Sequence, residues 1–172
     1  NADARIVEER RLLARLDHPN IARLLDGGIA SDGRPWLVTE LVVGLPLDAW
    51  LSQAVPDLDR RLRAFTALTD AVACAHANGI VHADLKPANV LIDADDQPHL
   101  LDFGVARLLE HAAAGGLHGL TPAWAAPEQL DGAAAEPRSD VYALGLLLDL
   151  LLTGEPAIAA PTYSLSELKA RR

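Results

Sequence analysis

Between His82 and Gly104 the chain passes twice from a polar loop to a short apolar run, and this pattern restricts its fold more than any other stretch. The polar run His82-Ala83-Asp84-Leu85-Lys86-Pro87-Ala88-Asn89 leads into Val90-Leu91-Ile92-Asp93. Ala94-Asp95-Asp96-Gln97-Pro98 is turn material, and His99-Leu100-Leu101 then opens onto Asp102-Phe103-Gly104. Two apolar triplets around a turn predict a small hairpin standing between two polar loops.

The flanking sequence supplies helices and strands. Residues 4–16 put Ile6, Leu13 and Leu16 on one helical face, and Asp17-His18-Pro19-Asn20 stops the pattern. Asp26-Gly27-Gly28 and Ser31-Asp32-Gly33 are turn signals, and residues 36–42 read as a buried strand before Gly44 and Pro46 interrupt it. From Asp57 to Asn78, Leu58, Leu62, Phe65, Leu68 and Val72 recur at helical spacing, with Arg60, Arg61 and Arg63 on the wet side and Asn78-Gly79 as the stop. Residues 139–153 start at Ser139-Asp140, are apolar on nearly every face and end at Gly154, so this helix belongs inside a core. It carries Asp149 and falls short of the roughly 20 residues that a bilayer requires.

Composition excludes several classes. A chain of 172 residues, 50% hydrophobic, is long enough for one sizeable core and too short for two domains. A net charge of −9 leaves no basic stripe for nucleic acid, and the single Cys74 cannot form an internal disulfide. With no signal peptide and no long apolar run, a cytoplasmic segment without membrane contact is expected. Asn1 opens the sequence and Met is absent, so it reads as a piece of a longer chain. Of the 15 cationic residues only Lys86 and Lys169 are Lys, which suggests that position 86 requires a compact ammonium.

Asp84, Lys86, Asn89 and Asp102 supply what phosphoryl transfer needs: a carboxylate to orient a hydroxyl, a cation for the transferred group, and oxygen ligands for Mg²⁺. Together with Ala126-Pro127-Glu128, the two loops occur in the order and at the spacing of the catalytic loop, metal-binding loop and activation-segment end of a protein kinase. The chain resembles bacterial members of the eukaryotic-type serine/threonine kinases from Glu9 to about Pro161. The resemblance implies an α+β, protein-kinase-like fold incomplete at both ends. Residues 1–43 would be a remnant of the small lobe (helix C, strands 4 and 5) plus the hinge, and residues 44–172 a mostly helical large lobe lacking its C-terminal helices.

It also implies roles. Asp84, Lys86 and Asn89 would be catalytic, and Asn89 and Asp102 would hold Mg²⁺ on ATP. Glu9, or its neighbour Glu8, looks like the helix-C glutamate; Thr39 looks like the gatekeeper, with Glu40 and Val42 as hinge groups and Leu91 beneath the adenine. Leu13, Leu24, His82 and Phe103 resemble a hydrophobic column based on Asp140, although Leu13, Leu24 and Leu91, each taken alone, read as ordinary core. Gly104 completes the metal-loop motif and Glu128 the Ala-Pro-Glu motif. Lys86 and Thr121 match the serine/threonine pattern, and Trp124 and Pro127 would shape the floor under a substrate peptide. Thr121 is also, on local sequence alone, a good turn residue before Pro122.

Departures qualify this picture. Ala83 stands where most of the family has Arg, and no Ser, Thr or Tyr lies between Gly104 and Thr121, so a segment not switched by its own phosphorylation is expected. His111 and His118 lack ligand partners at metal spacing and read as solvated loop residues. No Lys precedes Lys86, so Glu8 or Glu9 is expected to lack its strand lysine, and Glu128 to lack the arginine that a later helix supplies in the family. The 172 residues alone are therefore expected to bind ATP poorly and to transfer little phosphate. Two other readings are a pseudokinase or interaction module and a small-molecule phosphotransferase; retention of Asp84, Lys86, Asn89 and Asp102 weighs against the first, and the Ala-Pro-Glu segment against the second.

Overall fold

The computed structural model describes residues 16–31, 35–103 and 121–157. The expected helix over 4–16, with Glu8, Glu9 and Leu13, falls almost wholly outside these, as do Gly104, His111 and His118. Among the described residues two small antiparallel sheets and four α-helices give a mixed α+β arrangement.

β1 (Leu24–Ile29) pairs with β2 (Pro35–Thr39). The Asp26-Gly27-Gly28 turn signal is thus corrected: these residues lie within a strand. The cross-strand partner is the reason, since Gly28 faces Trp36 and a Cβ there would sit 2.9 Å from the Trp36 ring. The strand over 36–42 is also corrected: it ends at Thr39 and is not buried, with Trp36 41% and Val38 44% exposed. Side chains alternate across a strand, and Leu37, between Trp36 and Val38, turns to the core.

The predicted hairpin is present as β4 (Val90–Ile92) and β5 (Pro98–Leu100), and the short β3 (Leu45–Pro46) adds to its β4 side. Gly44 permits that pairing, because a Cβ there would lie 2.5 Å from the Ile92 carbonyl oxygen. On the other side the chain at 20–22 hydrogen-bonds Leu100 through both backbone groups, and the Asn20 amide donates to the Pro98 carbonyl at 2.7 Å.

α1 (Leu47–Ala54) follows β3 directly and buries Leu47, Trp50 and Leu51. α2 (Leu58–Ala77) starts on Asp57, whose carboxylate accepts the Arg60 amide at 2.8 Å. Its inner face, with Leu68, Ala71, Val72 and Ala75, packs on α4 (Pro137–Thr153) and β5. α3 (Pro127–Leu130) is a single turn. α4 ends at Gly154 as expected, but it is not enclosed on every face: Val141 is 60% and Leu152 50% exposed, while Leu144, Leu147 and Leu151 are buried. No helix among the described residues is long and apolar enough to cross a membrane.

Candidate active site

The first turn of α4 carries Asp140, 1% exposed, and its carboxylate organises the His82 loop. Oδ2 accepts the His82 amide at 2.8 Å and Oδ1 the Ala83 amide at 2.9 Å, while Nε2 of His76 from α2 lies 2.8 Å from Oδ2. His82 is fully buried against Phe103, with ring centroids 4.6 Å apart. Its Nδ1 accepts the Asp84 amide at 3.3 Å, so Nε2 carries the proton and donates to the Leu101 carbonyl at 2.9 Å. Burial pushes the imidazole pKa below its ordinary value, against the opposing pull of Asp140, and this agrees with a neutral ring.

Beyond His82 the loop turns sharply. Ala83 adopts φ 71°, a left-handed conformation costing a non-glycine residue roughly 1–2 kcal/mol, and its carbonyl accepts the Gln129 side-chain amide at 2.8 Å. Gln129 Oε1 also accepts the Ala126 amide at 3.0 Å, so one buried side chain ties the start of α3 to the loop. Asp84 follows. Its Oδ2 accepts from the Lys86 ammonium and, at 3.3 Å, from the Asn89 amide, and Asn89 also donates to the Asp84 carbonyl at 2.9 Å. Asp84 Oδ1 receives no hydrogen bond among the described residues. Lys86 Nζ also donates to Thr121 Oγ at 2.8 Å, so Asp84, Lys86, Asn89 and Thr121 form one connected cluster.

The second loop is tethered to the first through Leu101, whose amide donates to the Asn89 carbonyl at 2.9 Å and whose carbonyl receives the His82 proton. Asp102, next in the chain, is exposed at φ 59°. Two strained, non-glycine positions, Ala83 and Asp102, thus sit in the two loops that the sequence marked. Asp102 and Phe103 share a small cavity of about 80 Å³ with Thr39, Leu24 and Leu37. Glu40 is fixed by the Arg23 amide, which donates to its carboxylate at 3.0 Å, and Val42 is half-buried. Leu91 is half-buried opposite Pro46 and His99.

Asn89 and Asp102 are hard oxygen donors, and no group of three or more His, Cys, Asp or Glu among the described residues could hold a metal by itself. That donor set suits Mg²⁺, which takes one or two protein ligands and completes its shell with phosphate and water.

Glu128 is not left without a partner: Ser139 Oγ donates to its Oε1 at 2.7 Å, and the Arg138 guanidinium stands 3.9 Å away. Ser139 Oγ also accepts the Glu136 amide at 3.1 Å, which joins Glu128 to the start of α4. Sequence reasoning missed Gln129 and His76, which act across 46 and 64 residues on partners that no local pattern connects.

The family model described as the protein kinase domain matches residues 1–170. The DNA damage-responsive serine/threonine-protein kinase RqkA of Deinococcus radiodurans is 40% identical over 159 residues, covering 89% of this chain and 24% of the relative. Serine/threonine-protein kinase PkaA of Streptomyces coelicolor is 40% identical over 158 residues, 88% of this chain and 29% of the relative. Serine/threonine-protein kinase PknK of Mycobacterium tuberculosis is 38% identical over 157 residues, 89% of this chain and 14% of the relative. The chain therefore spans less than a third of the length of each of these relatives.

Proposed function

The chain belongs to the protein kinase domain family, and from that premise we propose that the protein carrying it transfers the γ-phosphate of ATP to serine or threonine hydroxyls of other proteins. The observation that carries the reading is the hydrogen-bonded cluster of Asp84, Lys86, Asn89 and Thr121, tethered through Leu101 to Asp102.

In this mechanism the substrate hydroxyl lies against Asp84, whose unbonded Oδ1 orients it and accepts its proton as the oxygen attacks the γ-phosphorus. The bond from phosphorus to the β–γ bridging oxygen breaks, and ADP leaves. Lys86, already between Asp84 and Thr121, turns its ammonium to the transferred group and offsets its negative charge. Asn89 donates its amide nitrogen to Asp84, which leaves its amide oxygen on the opposite edge to serve, with Asp102, as a ligand for Mg²⁺. The metal, when bound, spreads the charge of the phosphate oxygens. Thr39, Glu40 and Val42 would border the adenine, with Leu91 beneath it. On this reading residues up to about 43 form one wall of the nucleotide cleft and the remainder the other.

Ala83 offers no guanidinium to a phosphorylated activation segment, and its carbonyl and amide are held by Gln129 and Asp140 instead. We assign this an activation segment set without its own phosphorylation. The test of both points uses the full-length protein encoded by the reading frame, given γ-labelled ATP, Mg²⁺ and a mixed protein substrate. Label on serine and threonine, without a stoichiometric phosphate on Thr121, is expected. Label confined to tyrosine or to small molecules would overturn the reading, and activity that depends on phosphorylated Thr121 would overturn the second point.

A further inference from the structure

Beside the Asp84 cluster lies a cavity of about 550 Å³, most of whose lining the phosphoryl-transfer chemistry does not use. Its size is that of a ligand pocket, about 300–1,000 Å³. Lys86 and Thr121 form its catalytic end, so it is continuous with the place where a substrate hydroxyl would lie. From there it is walled by Leu51 of α1, Pro87, Trp124, Leu150 of α4 and Pro156.

Its cations are committed elsewhere, and its one carboxylate is exposed. Arg61 donates from Nε to the Pro56 carbonyl at 2.8 Å and from Nη1 to the Leu151 carbonyl at 2.9 Å, so its guanidinium braces the junction of α2 and α4. Lys86 is held by Asp84 and Thr121. Asp48, exposed in the first turn of α1, accepts the Ala49 amide. Leu150, on the inner face of the last turns of α4, is 4% exposed and presents no polar atom. Asp48 is the one carboxylate of the lining and is exposed, so a substrate cation entering the cavity would lose its water without meeting a buried carboxylate, whereas an apolar side chain would lose nothing.

We propose that this cavity selects protein substrates carrying a large apolar side chain, such as Leu or Phe, within a few residues of the phosphorylated hydroxyl, with Leu51, Trp124 and Leu150 as the specificity-determining residues. The inference rests on the kinase reading above and adds to it the chemistry of the preferred substrate.

The experiment uses the full-length protein and a set of synthetic serine and threonine peptides in which each position near the acceptor is in turn Leu, Phe, Arg, Lys or Glu. At one position, Leu or Phe should raise kcat/KM by about tenfold or more over Arg or Lys, as expected for one well-filled apolar pocket. Ser52→Glu, at an exposed position on the cavity wall, should shift that preference toward Arg and Lys; Leu150→Glu should do the same from the inner wall. Phosphorylation with no positional preference, with a preference for Arg or Lys, or with a preference that Ser52→Glu leaves unmoved would overturn the proposal and leave the kinase reading standing. If no peptide is phosphorylated, the kinase reading fails, and fluorescence anisotropy of the labelled peptides still decides the cavity: tighter binding of the Leu peptide than the Lys peptide supports the apolar site, and equal or reversed affinity removes it.

Discussion

At Asp140 a single carboxylate receives two consecutive backbone amides, of His82 and Ala83, and faces His76. Removing it leaves those donors without partners inside the protein. Asp140→Ala should therefore cost about 2–6 kcal/mol, about 1–3 kcal/mol for each of the two amides left unpaired. Urea unfolding measures this, and a loss under 1 kcal/mol would show that water replaces the carboxylate. At this scale the sequence is most legible where function is carried by neighbours. His82, Asp84, Lys86 and Asn89 lie within one turn-rich stretch, so residue type and spacing expose them. Gln129 and Ser139 were invisible as functional residues, because an amide or hydroxyl acquires its role only from the carbonyl or carboxylate that folding brings to it.

Among elements, the hairpin turn between β4 and β5 does more than reverse the chain. Asp96, at φ 60°, receives both Nε and Nη2 of Arg60 at 2.7 Å and the Trp50 indole at 3.0 Å, so the turn is tied to the starts of α1 and α2. The Arg60 hydrogen bonds hold the Asp96 carboxyl below the usual carboxylate range, with burial opposing and Trp50 adding to the effect. The pair is part-exposed, so Asp96→Ala should cost only about 1 kcal/mol, with Trp50 fluorescence shifting as its indole loses its acceptor. An unchanged emission spectrum would contradict the tie. Periodicity identified α2 and α4 because each has a long apolar face and a clear stop. α1 escaped it: only eight residues long, it follows Pro46 with no side-chain cap, so it is held by packing of Trp50 and Leu51 and not by local signals. β1 escaped it because Gly27 and Gly28 read as a turn until Trp36 supplies a ring to lie over Gly28.

For the whole molecule, the buried neutral His82 couples stability to pH. Its folded pKa lies below the ordinary value, chiefly through burial, whereas the unfolded chain takes up the proton near pH 6.5. The unfolded state then binds more protons, so this contribution is complete above about pH 6.5 and is lost as pH falls toward the folded pKa, by up to about 1.4 kcal/mol per pH unit. Urea midpoints should be flat from pH 8 to 7 and decline from 6.5 to 5; a constant midpoint over the lower range would contradict a neutral His82. The α+β class and the polar loops flanking a hairpin were legible in the sequence, since short motifs and apolar runs encode them. The exposed sides of β2 and α4 were not, because hydrophobicity alone does not say which face finds a partner. The central claim is that Asp84, held by Lys86 and Asn89, orients the attacking hydroxyl. Its most direct test is phosphate transfer and ATP affinity measured side by side for the full-length protein and its Asp84→Asn variant. The account predicts transfer reduced by about 10²–10⁴-fold with ATP affinity unchanged; transfer that survives the substitution would contradict it.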